Sequence, residues 1–171
     1  HNIYNSMAAA IAGRILDVKN NIIRQSMLDF QNIEHRLEHV LSVHGIDFIN
    51  DSKASNVNAT WYALESMTKP VIWIVGGVDK GNNYNEIKEL VKEKVKVIVC
   101  LGESSKKIQK YFKKIVNKIE TASSMQEAVR ASYSLADKGD VVLLSPTCAS
   151  FDLFDNFEQR GQEFKNQVRK L

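Results

Sequence analysis

Three almost uninterrupted apolar runs constrain the fold of this chain more than any other feature of its sequence. They span Val71–Val75, Val95–Leu101 and Val141–Leu144, and each has the length of one strand. Runs without alternation of polar and apolar residues are typical of strands buried on both faces of a parallel sheet. Segments with helical spacing of apolar residues lie between them. This repeat predicts a parallel sheet with helices on both faces.

The segments around these runs complete the predicted fold. Residues 37–43 and 46–50 flank His44-Gly45 and predict an antiparallel hairpin. Two short helices precede it, separated by a break from Gly13-Arg14 to Asp17. The other predicted elements are helices near residues 59–67, 84–91, 104–116, 125–136 and 155–168 and a short strand at 119–122. The predicted class is α/β: a Rossmann-like three-layer α/β/α domain, with a mostly parallel sheet, an antiparallel hairpin at its start and a short helical segment before it.

Composition excludes several classes of protein. The chain has 171 residues, 44% of them apolar, and a formal net charge of +3, so it can build a core and is not a disordered tail. Two cysteines, Cys100 and Cys148, are too few for a disulfide scaffold. The sequence shows no signal peptide and no membrane-spanning run, which predicts a reduced, cytosolic protein. Because the first residue is His1 rather than Met, we expect a piece of a longer protein.

A lysine-rich stretch invites a nucleic-acid interpretation. Residues 88–118 contain ten lysines. Acidic residues are interspersed, and Tyr111 and Phe112 are the only aromatic residues there that could stack on bases. The stretch is better explained as the solvated faces of two amphipathic helices. We therefore predict no nucleic-acid binding.

Three polar segments follow predicted strands and lead into helices. They are residues 50–56, 76–81 and 145–156. In an open parallel sheet, ligands bind outside the carboxyl ends of the strands, where helix N-termini offer free N–H groups to carboxylates or phosphates. The sequence has neither a Walker A motif nor G-x-G-x-x-G, and Lys80 lies in a glycine-rich loop that fits neither pattern. An ordinary turn explains that loop equally well.

The last of these segments could hold a carboxylate. If Asp155 caps the final helix, Phe157 lies in the first turn and its N–H has no acceptor within the helix. Ser150 and that N–H could bind one anion together. Capping combined with core packing of Phe154 and Phe157 accounts for the same residues, and the composition does not separate the two interpretations.

The same segments resemble a known family. Residues 50–56 (Asn-Asp-Ser-Lys-Ala-Ser-Asn), 145–152 and 156–161 resemble C-terminal signatures of the Mur ligases, in the form of the members that add D-glutamate. Residues 1–6 and 35–38 are similar to segments that Mur ligases share with folylpolyglutamate synthases. The resemblance covers essentially the whole chain. It implies a three-domain, monomeric, cytoplasmic bacterial enzyme of peptidoglycan precursor synthesis.

The resemblance also implies the reaction and the contribution of this chain. ATP and Mg²⁺ would phosphorylate the carboxylate of UDP-N-acetylmuramoyl-L-alanine, and the amine of D-glutamate would attack the acyl phosphate. Residues 1–34 would be the helical end of the central ATP-binding domain and residues 35–171 the C-terminal domain. The phosphate loop and the groups that hold magnesium would belong mainly to the missing part of the central domain. We therefore expect no metal ligand in this chain, no assigned catalytic residue, and no activity of the chain alone.

Site residues follow from the resemblance position by position. Those implied for ATP are Asn2 and Asn5 near the adenine, Arg36 on the phosphates, Asp51 on the ribose hydroxyls and Lys53 at the terminal phosphate. Those implied for D-glutamate are Lys80 and Ser55 on the side-chain carboxylate, with Ser150 and the backbone of Phe157 as further contacts. Ser55 stands where the family commonly has Thr, a change that keeps the hydroxyl.

Two other functions remain open from the sequence. One is a non-catalytic Rossmann-like module that binds an anionic metabolite. The other is a folylpolyglutamate synthase-like ligase domain, which the segments at 51–56 and 147–161 disfavour.

Overall fold

The computed structural model describes residues 2–30 and 33–171, and each of these two ranges belongs to a separate compact unit. The first unit contains helices α1 (Asn2–Ile15) and α2 (Asn20–Leu28). The predicted break between them starts too early, because α1 continues through Gly13 and Arg14 and the helices are separated by residues 16–19. Gly13 is accommodated because it lies against Ile23 of α2, where an added Cβ would come within 3.1 Å of the Ile23 side chain.

The second unit is built on a mixed sheet. Its strands are β1 (Glu38–Val43), β2 (Ile46–Asn50), β3 (Val71–Val75), β4 (Val95–Leu101), β5 (Lys118–Ala122) and β6 (Val141–Leu144). Its helices are α3 (Val57–Ser66), α4 (Lys88–Lys94), α5 (Ser105–Phe112), α6 (Met125–Leu135) and α7 (Phe157–Val168), with a 3-10 turn at Tyr84–Ile87.

The strands lie in the order β1-β2-β6-β3-β4-β5. The β1–β2 pair is antiparallel, and the pairs β2–β6, β6–β3, β3–β4 and β4–β5 are parallel. The mostly parallel sheet and the hairpin at its start confirm the predicted class. At the hairpin turn, His44 and Gly45 both have positive φ (49° and 83°), the backbone of a type I′ turn, whose twist matches that of the paired strands.

The strand residues bury alternate side chains on the two faces of the sheet. Trp73 of β3 and its same-face neighbours pack against α3, α4 and α5. Ile72 and Ile74 point to the opposite face and pack with residues of α6 and α7, including Phe164. All five residues of β3 are buried, which confirms the prediction of a strand covered on both faces.

Several predicted helix bounds need correction. The segment predicted as a helix from residue 84 begins as the 3-10 turn and becomes α-helical only at Lys88. Helix α5 ends at Phe112 rather than near residue 116, because the chain then tightens into a turn in which the N–H of Ile115 donates to the carbonyl of Phe112. Across the described ranges, 2–30 and 33–171, no helix combines the length and apolar character needed to cross a bilayer.

Candidate functional site

The topology brings the three polar segments to one edge of the sheet. Strands β2, β6 and β3 are adjacent and parallel, so their carboxyl ends share an edge. The segments after them are residues 51–56, 145–156 and 76–81. The sequence predicted that each segment follows a strand, and the sheet order makes all three neighbours.

Two backbone hydrogen bonds join the loops after β3 and β6. The N–H of Val78 donates to the carbonyl of Ala149 (2.9 Å), and the N–H of Ala149 donates to the carbonyl of Val78 (3.1 Å). Gly77 has a φ of +128°, and a Cβ there would collide with the carbonyl oxygen of Ala149. The two loops can approach this closely only because residue 77 has no side chain.

The loop after β2 is bonded to the loop after β6. The N–H of Asp51 donates to the carbonyl of Leu144 (2.8 Å), and the N–H of Thr147 donates to that of Ala54 (3.0 Å). Thr147 adopts a φ of +58°, a strained conformation for a β-branched residue. Strain of this kind persists where the surroundings over-determine the backbone, and it concentrates at functional sites.

Asp51, implied at the ribose, is a buried carboxylate. One of its oxygens accepts from the hydroxyl of Ser145 (3.0 Å) and the other from the N–H of Leu37 (3.3 Å). Burial raises the pKa of Asp51 to about 7, although these two bonds and the charge of Arg36 act in the opposite direction. Arg36 is itself exposed, so the charge that acts on this buried acid comes from a solvent-accessible guanidinium.

Lys80 is exposed on a loop that Asp79 fixes. One oxygen of Asp79 accepts from the N–H groups of Gly81 (2.7 Å) and Asn82 (2.9 Å). The other accepts from the hydroxyl of Tyr84 (2.9 Å) and pairs with Lys107 (2.8 Å). Burial alone would raise the pKa of Asp79, but Lys107 and the other donors lower it to about 2. The loop that presents Lys80 is therefore held in one conformation.

Lys53 and Phe157 are in direct contact. The Nζ of Lys53 lies 3.6 Å from the centroid of the Phe157 ring, the geometry of a cation–π interaction. Lys53 and Ser55 are both exposed. One residue implied for ATP thus touches one residue implied for D-glutamate at this edge of the sheet.

Ser150 carries a buried hydroxyl whose Oγ has no hydrogen-bond partner within the described residues. Its carbonyl is occupied, because it accepts from the N–H groups of Leu153 (3.2 Å) and Phe154 (2.9 Å). Burying a hydroxyl without a hydrogen-bond partner costs free energy. A bound ligand that accepts a hydrogen bond from Ser150 would offset this cost.

Phe157 is the first residue of α7, so its N–H has no acceptor within the helix. The expectation that Asp155 caps this helix is wrong. Asn156 is the cap, and its side-chain oxygen accepts from the N–H of Gln159 (2.7 Å). The placement of Phe157 in the first turn is unchanged by this correction.

The residues implied at the adenine belong to the first unit. Asn5 is exposed on α1. Asn2 begins the same helix, and its side chain lies outside the described part of the structure.

Sequence reasoning missed Arg160. Its side chain is fully buried and its guanidinium donates to the hydroxyl of Ser52 (3.0 Å), the carbonyl of Ser52 (2.8 Å) and the carbonyl of Cys148 (3.0 Å). The available signal was helical spacing, since Arg160 falls three residues after Phe157 and four before Phe164 on the buried face of α7.

One group of possible metal ligands occurs in the described part of the chain. Glu34, His35 and Glu38 place one ligand atom each within 4.8 Å of one another. Lys165 of α7 bonds to both carboxylates, and its Nζ lies 3.0 Å from Glu38. Both carboxylates are therefore paired with the same lysine, and the cluster is part of an ion-pair network.

Comparison with known proteins adds the decisive observation. The model of the family described as "Mur ligase, glutamate ligase domain" matches residues 35–148, more than half of the chain. The chain belongs to this Mur ligase family. The family resemblance stated from the sequence motifs is thereby confirmed.

Individual Mur ligases are similar over the whole chain. The UDP-N-acetylmuramoylalanine–D-glutamate ligase of Christiangramia forsetii is 55% identical over 171 residues, which are 100% of this chain and 38% of that protein. The ligase of the same name from Porphyromonas gingivalis is 53% identical, with the same coverage. The chain therefore spans somewhat over a third of the length of these relatives.

Solved structures support the fold. The pseudomurein peptide ligase type C of Methanothermus fervidus superposes with a TM-score of 0.71 at 19% identity, over 99% of this chain and 35% of that one. At this identity the similarity concerns the fold alone. The Mur ligase fold is thus shared well beyond the range in which sequences remain similar.

Proposed function

We propose that this chain is the C-terminal part of an ATP-dependent ligase that adds D-glutamate to UDP-N-acetylmuramoyl-L-alanine in peptidoglycan precursor synthesis. The observation that carries the proposal is the buried hydroxyl of Ser150, which has no hydrogen-bond partner among the residues that the structure describes. Ser150 directly follows Ala149, which is bonded to Val78 in the loop that carries Lys80. The identity of 55% to a D-glutamate ligase supports the same substrate.

D-glutamate has two carboxylates, so its subsite needs cations or hydrogen-bond donors that bind them. The edge of the sheet at the carboxyl ends of β2, β6 and β3 supplies such groups. Lys80 offers an ammonium, while Ser55 and Ser150 offer hydroxyls. The N–H of Phe157 lies at the positive end of α7, where an anion is stabilised. Lys80 and Ser55 would bind the side-chain carboxylate, with Ser150 and the Phe157 N–H as further contacts. These donors position the amino acid so that its amine is directed at the reacting carbon.

The ATP subsite would use the cations at the same edge. Arg36 and Lys53 would neutralise phosphate charge, Asp51 would accept from ribose hydroxyls, and Asn2 and Asn5 would contact the adenine. The residues fit this use, because a carboxylate oxygen has room for more than one donor and Asp51 therefore keeps acceptor capacity beside Ser145 and Leu37. ATP supplies the phosphoryl group that activates the acceptor carboxylate.

The chain would be one part of a larger catalyst. Residues 1–34 would end the central domain and residues 35–171 would form the C-terminal domain of a cytoplasmic, monomeric bacterial enzyme that does not bind nucleic acid. Magnesium would be held mainly by the central domain, since the carboxylates of Glu34 and Glu38 are bonded to Lys165. We expect the chain alone to be inactive, because phosphoryl transfer depends on groups that position and neutralise the phosphates.

The test is ATP-dependent incorporation of labelled D-glutamate into UDP-N-acetylmuramoyl-L-alanine. The full-length protein should form product with D-glutamate and little with L-glutamate, and the 171-residue chain should form none. Ligation by the isolated chain would overturn the assignment of the missing part. Failure of the full-length protein with D-glutamate, or its acceptance of a folate substrate instead, would overturn the substrate assignment.

A further inference from the structure

Arg160 is a charged side chain in the interior whose hydrogen-bond acceptors are neutral. It is 2% exposed, and its three hydrogen bonds go to two carbonyl oxygens and one hydroxyl. No ion pair of the described residues includes it, and the carboxylate of Asp152 acts on it only through space. Burying a guanidinium is costly, so its partners must satisfy its donors well.

The partners of Arg160 belong to two different segments of the candidate site. Ser52 lies in the segment after β2, next to Lys53, and Cys148 lies in the segment after β6, two residues before Ser150. Arg160 itself is one turn beyond Phe157 on α7. One side chain therefore connects the three stretches of chain that carry predicted site residues.

The hydroxyl of Ser52 extends this connection back to Phe157. It accepts from Nε of Arg160 (3.0 Å) and donates to the carbonyl of Phe157 (2.7 Å). The ring of Phe157 in turn lies under the ammonium of Lys53. The chain Arg160, Ser52, Phe157 and Lys53 thus runs from the interior to the exposed edge of the site.

We propose that Arg160 is a positioning residue for the D-glutamate site. Its planar guanidinium holds residues 51–56 and 145–150 at a fixed separation, so that the hydroxyls of Ser55 and Ser150 and the N–H of Phe157 act on one ligand. This inference rests on the function proposed above. A lysine would replace Arg160 only in part, because an ammonium does not present its donors in one plane.

The test uses the full-length protein with Arg160→Met and Arg160→Lys. Val168→Ala is the matched control, because it also removes buried atoms from α7 but lies two turns away from Arg160. We expect Arg160→Met to raise the KM for D-glutamate about tenfold or more, with the KM for the UDP-linked substrate unchanged. Arg160→Lys should recover only part of this loss, and Val168→Ala should lower the thermal midpoint without altering either KM.

Hydrogen exchange gives a second readout that needs no substrate. Residues 51–56 and 145–150 should both exchange faster in Arg160→Met and should not in Val168→Ala. If Arg160→Met fails to fold, Ser52→Ala removes only the shared hydroxyl, and it should raise the KM for D-glutamate by a smaller factor.

The outcomes separate the two proposals. A KM for D-glutamate that stays constant in Arg160→Lys and Ser52→Ala would overturn the positioning role while leaving the proposed function intact. Unmodified full-length protein that does not ligate D-glutamate would overturn the proposed function, and this inference with it. Exchange that increases in only one of the two segments would show that Arg160 does not couple them.

Discussion

Val78 and Ala149 exchange two backbone hydrogen bonds, of 2.9 and 3.1 Å, and so join the loop after β3 to the loop after β6. Lys80 lies two residues beyond Val78, and Ser150 follows Ala149 directly. The bridge therefore links the two segments that carry Lys80 and the buried hydroxyl of Ser150, both of which we propose as contacts of D-glutamate.

Gly77→Ala should break this bridge. The substitution imposes a Cβ on a φ of +128° and drives it into the carbonyl oxygen of Ala149, so we expect a loss of about 3 kcal/mol in the free energy of unfolding. Gly139→Ala is the control, because Gly139 has a φ of +99° but open space around its Cβ, and it should cost only about 1 kcal/mol. Equal losses in urea unfolding of the two variants would contradict the close approach of the loops.

Lys80→Ala should act on D-glutamate alone. Removing the ammonium deletes one charge-assisted contact to a carboxylate, so in the full-length protein the KM for D-glutamate should rise about tenfold or more. The KM for ATP should change little. Lys88→Ala, which removes another exposed lysine at the start of α4, should leave both constants unchanged. Equal increases for ATP and D-glutamate in Lys80→Ala would refute the assignment.

Asp79→Asn should loosen the Lys80 loop and reduce stability above acidic pH. The pKa of Asp79 is lowered to about 2 in the folded chain, against an ordinary value near 3.9. Its carboxylate therefore stabilises the fold above pH 4, and that contribution is lost as the pH falls through about 2. We expect the variant to be about 1 kcal/mol less stable at pH 7 and to approach the unmodified chain at low pH. A constant difference from pH 7 to pH 2 would show that the charge of Asp79 is irrelevant.

Asp51→Asn should have the opposite dependence on pH. Burial raises the pKa of Asp51 to about 7, so the folded chain binds this proton more tightly than the unfolded chain. The resulting stabilisation is complete below pH 4 and is lost as the pH rises through 7. Each pKa unit corresponds to about 1.4 kcal/mol, so at pH 8 the variant should be more stable than the unmodified chain by up to a few kcal/mol.

The measurement for Asp51 is the difference in unfolding free energy between the variant and the unmodified chain from pH 4.5 to pH 8. Taking the difference removes the contributions of the other acids, several of which have lowered pKa values. A difference that does not grow with pH would contradict the raised pKa.

Most strand positions could be predicted, because strands buried on both faces have nearly uninterrupted apolar sequences. The runs at Val71–Val75 and Val141–Leu144 match strands β3 and β6 at both ends. The order of the strands could not be predicted, because an apolar run does not indicate which neighbour it pairs with. That order is what places β6 between β2 and β3 and brings the site together.

At the start of α7, the local sequence pattern does not determine which residue caps the helix. Asp155-x-x-Glu158 and Asn156-x-x-Gln159 both fit a helix-capping sequence, so the residues allow either start. The structure uses Asn156 as the cap, while the side chain of Gln159 accepts from the N–H of Asp155. Tertiary packing of α7 selects between two local solutions that are nearly equivalent.

Arg160 was missed for a different reason. Arginine is rarely buried, so a helical arginine is assigned by default to the solvated face. Its spacing from Phe164 placed it on the buried face, but only the partners at Ser52 and Cys148, 108 and 12 residues away in sequence, make that burial possible. Which residues meet Arg160 is decided by the three-dimensional fold, so these partners could not be predicted from the local sequence.

The most direct test of the central claim compares two buried serines. Ser150 and Ser132 are both buried with hydroxyls that lack a partner in the described part of the chain, but Ser132 lies on α6, away from the polar edge. Replacing either with Ala removes an unsatisfied polar atom, so both variants should be as stable as the unmodified protein or more stable. In the full-length protein, Ser150→Ala should raise the KM for D-glutamate about tenfold, and Ser132→Ala should leave it unchanged. An unchanged KM in Ser150→Ala would contradict the claim that this edge of the sheet binds D-glutamate.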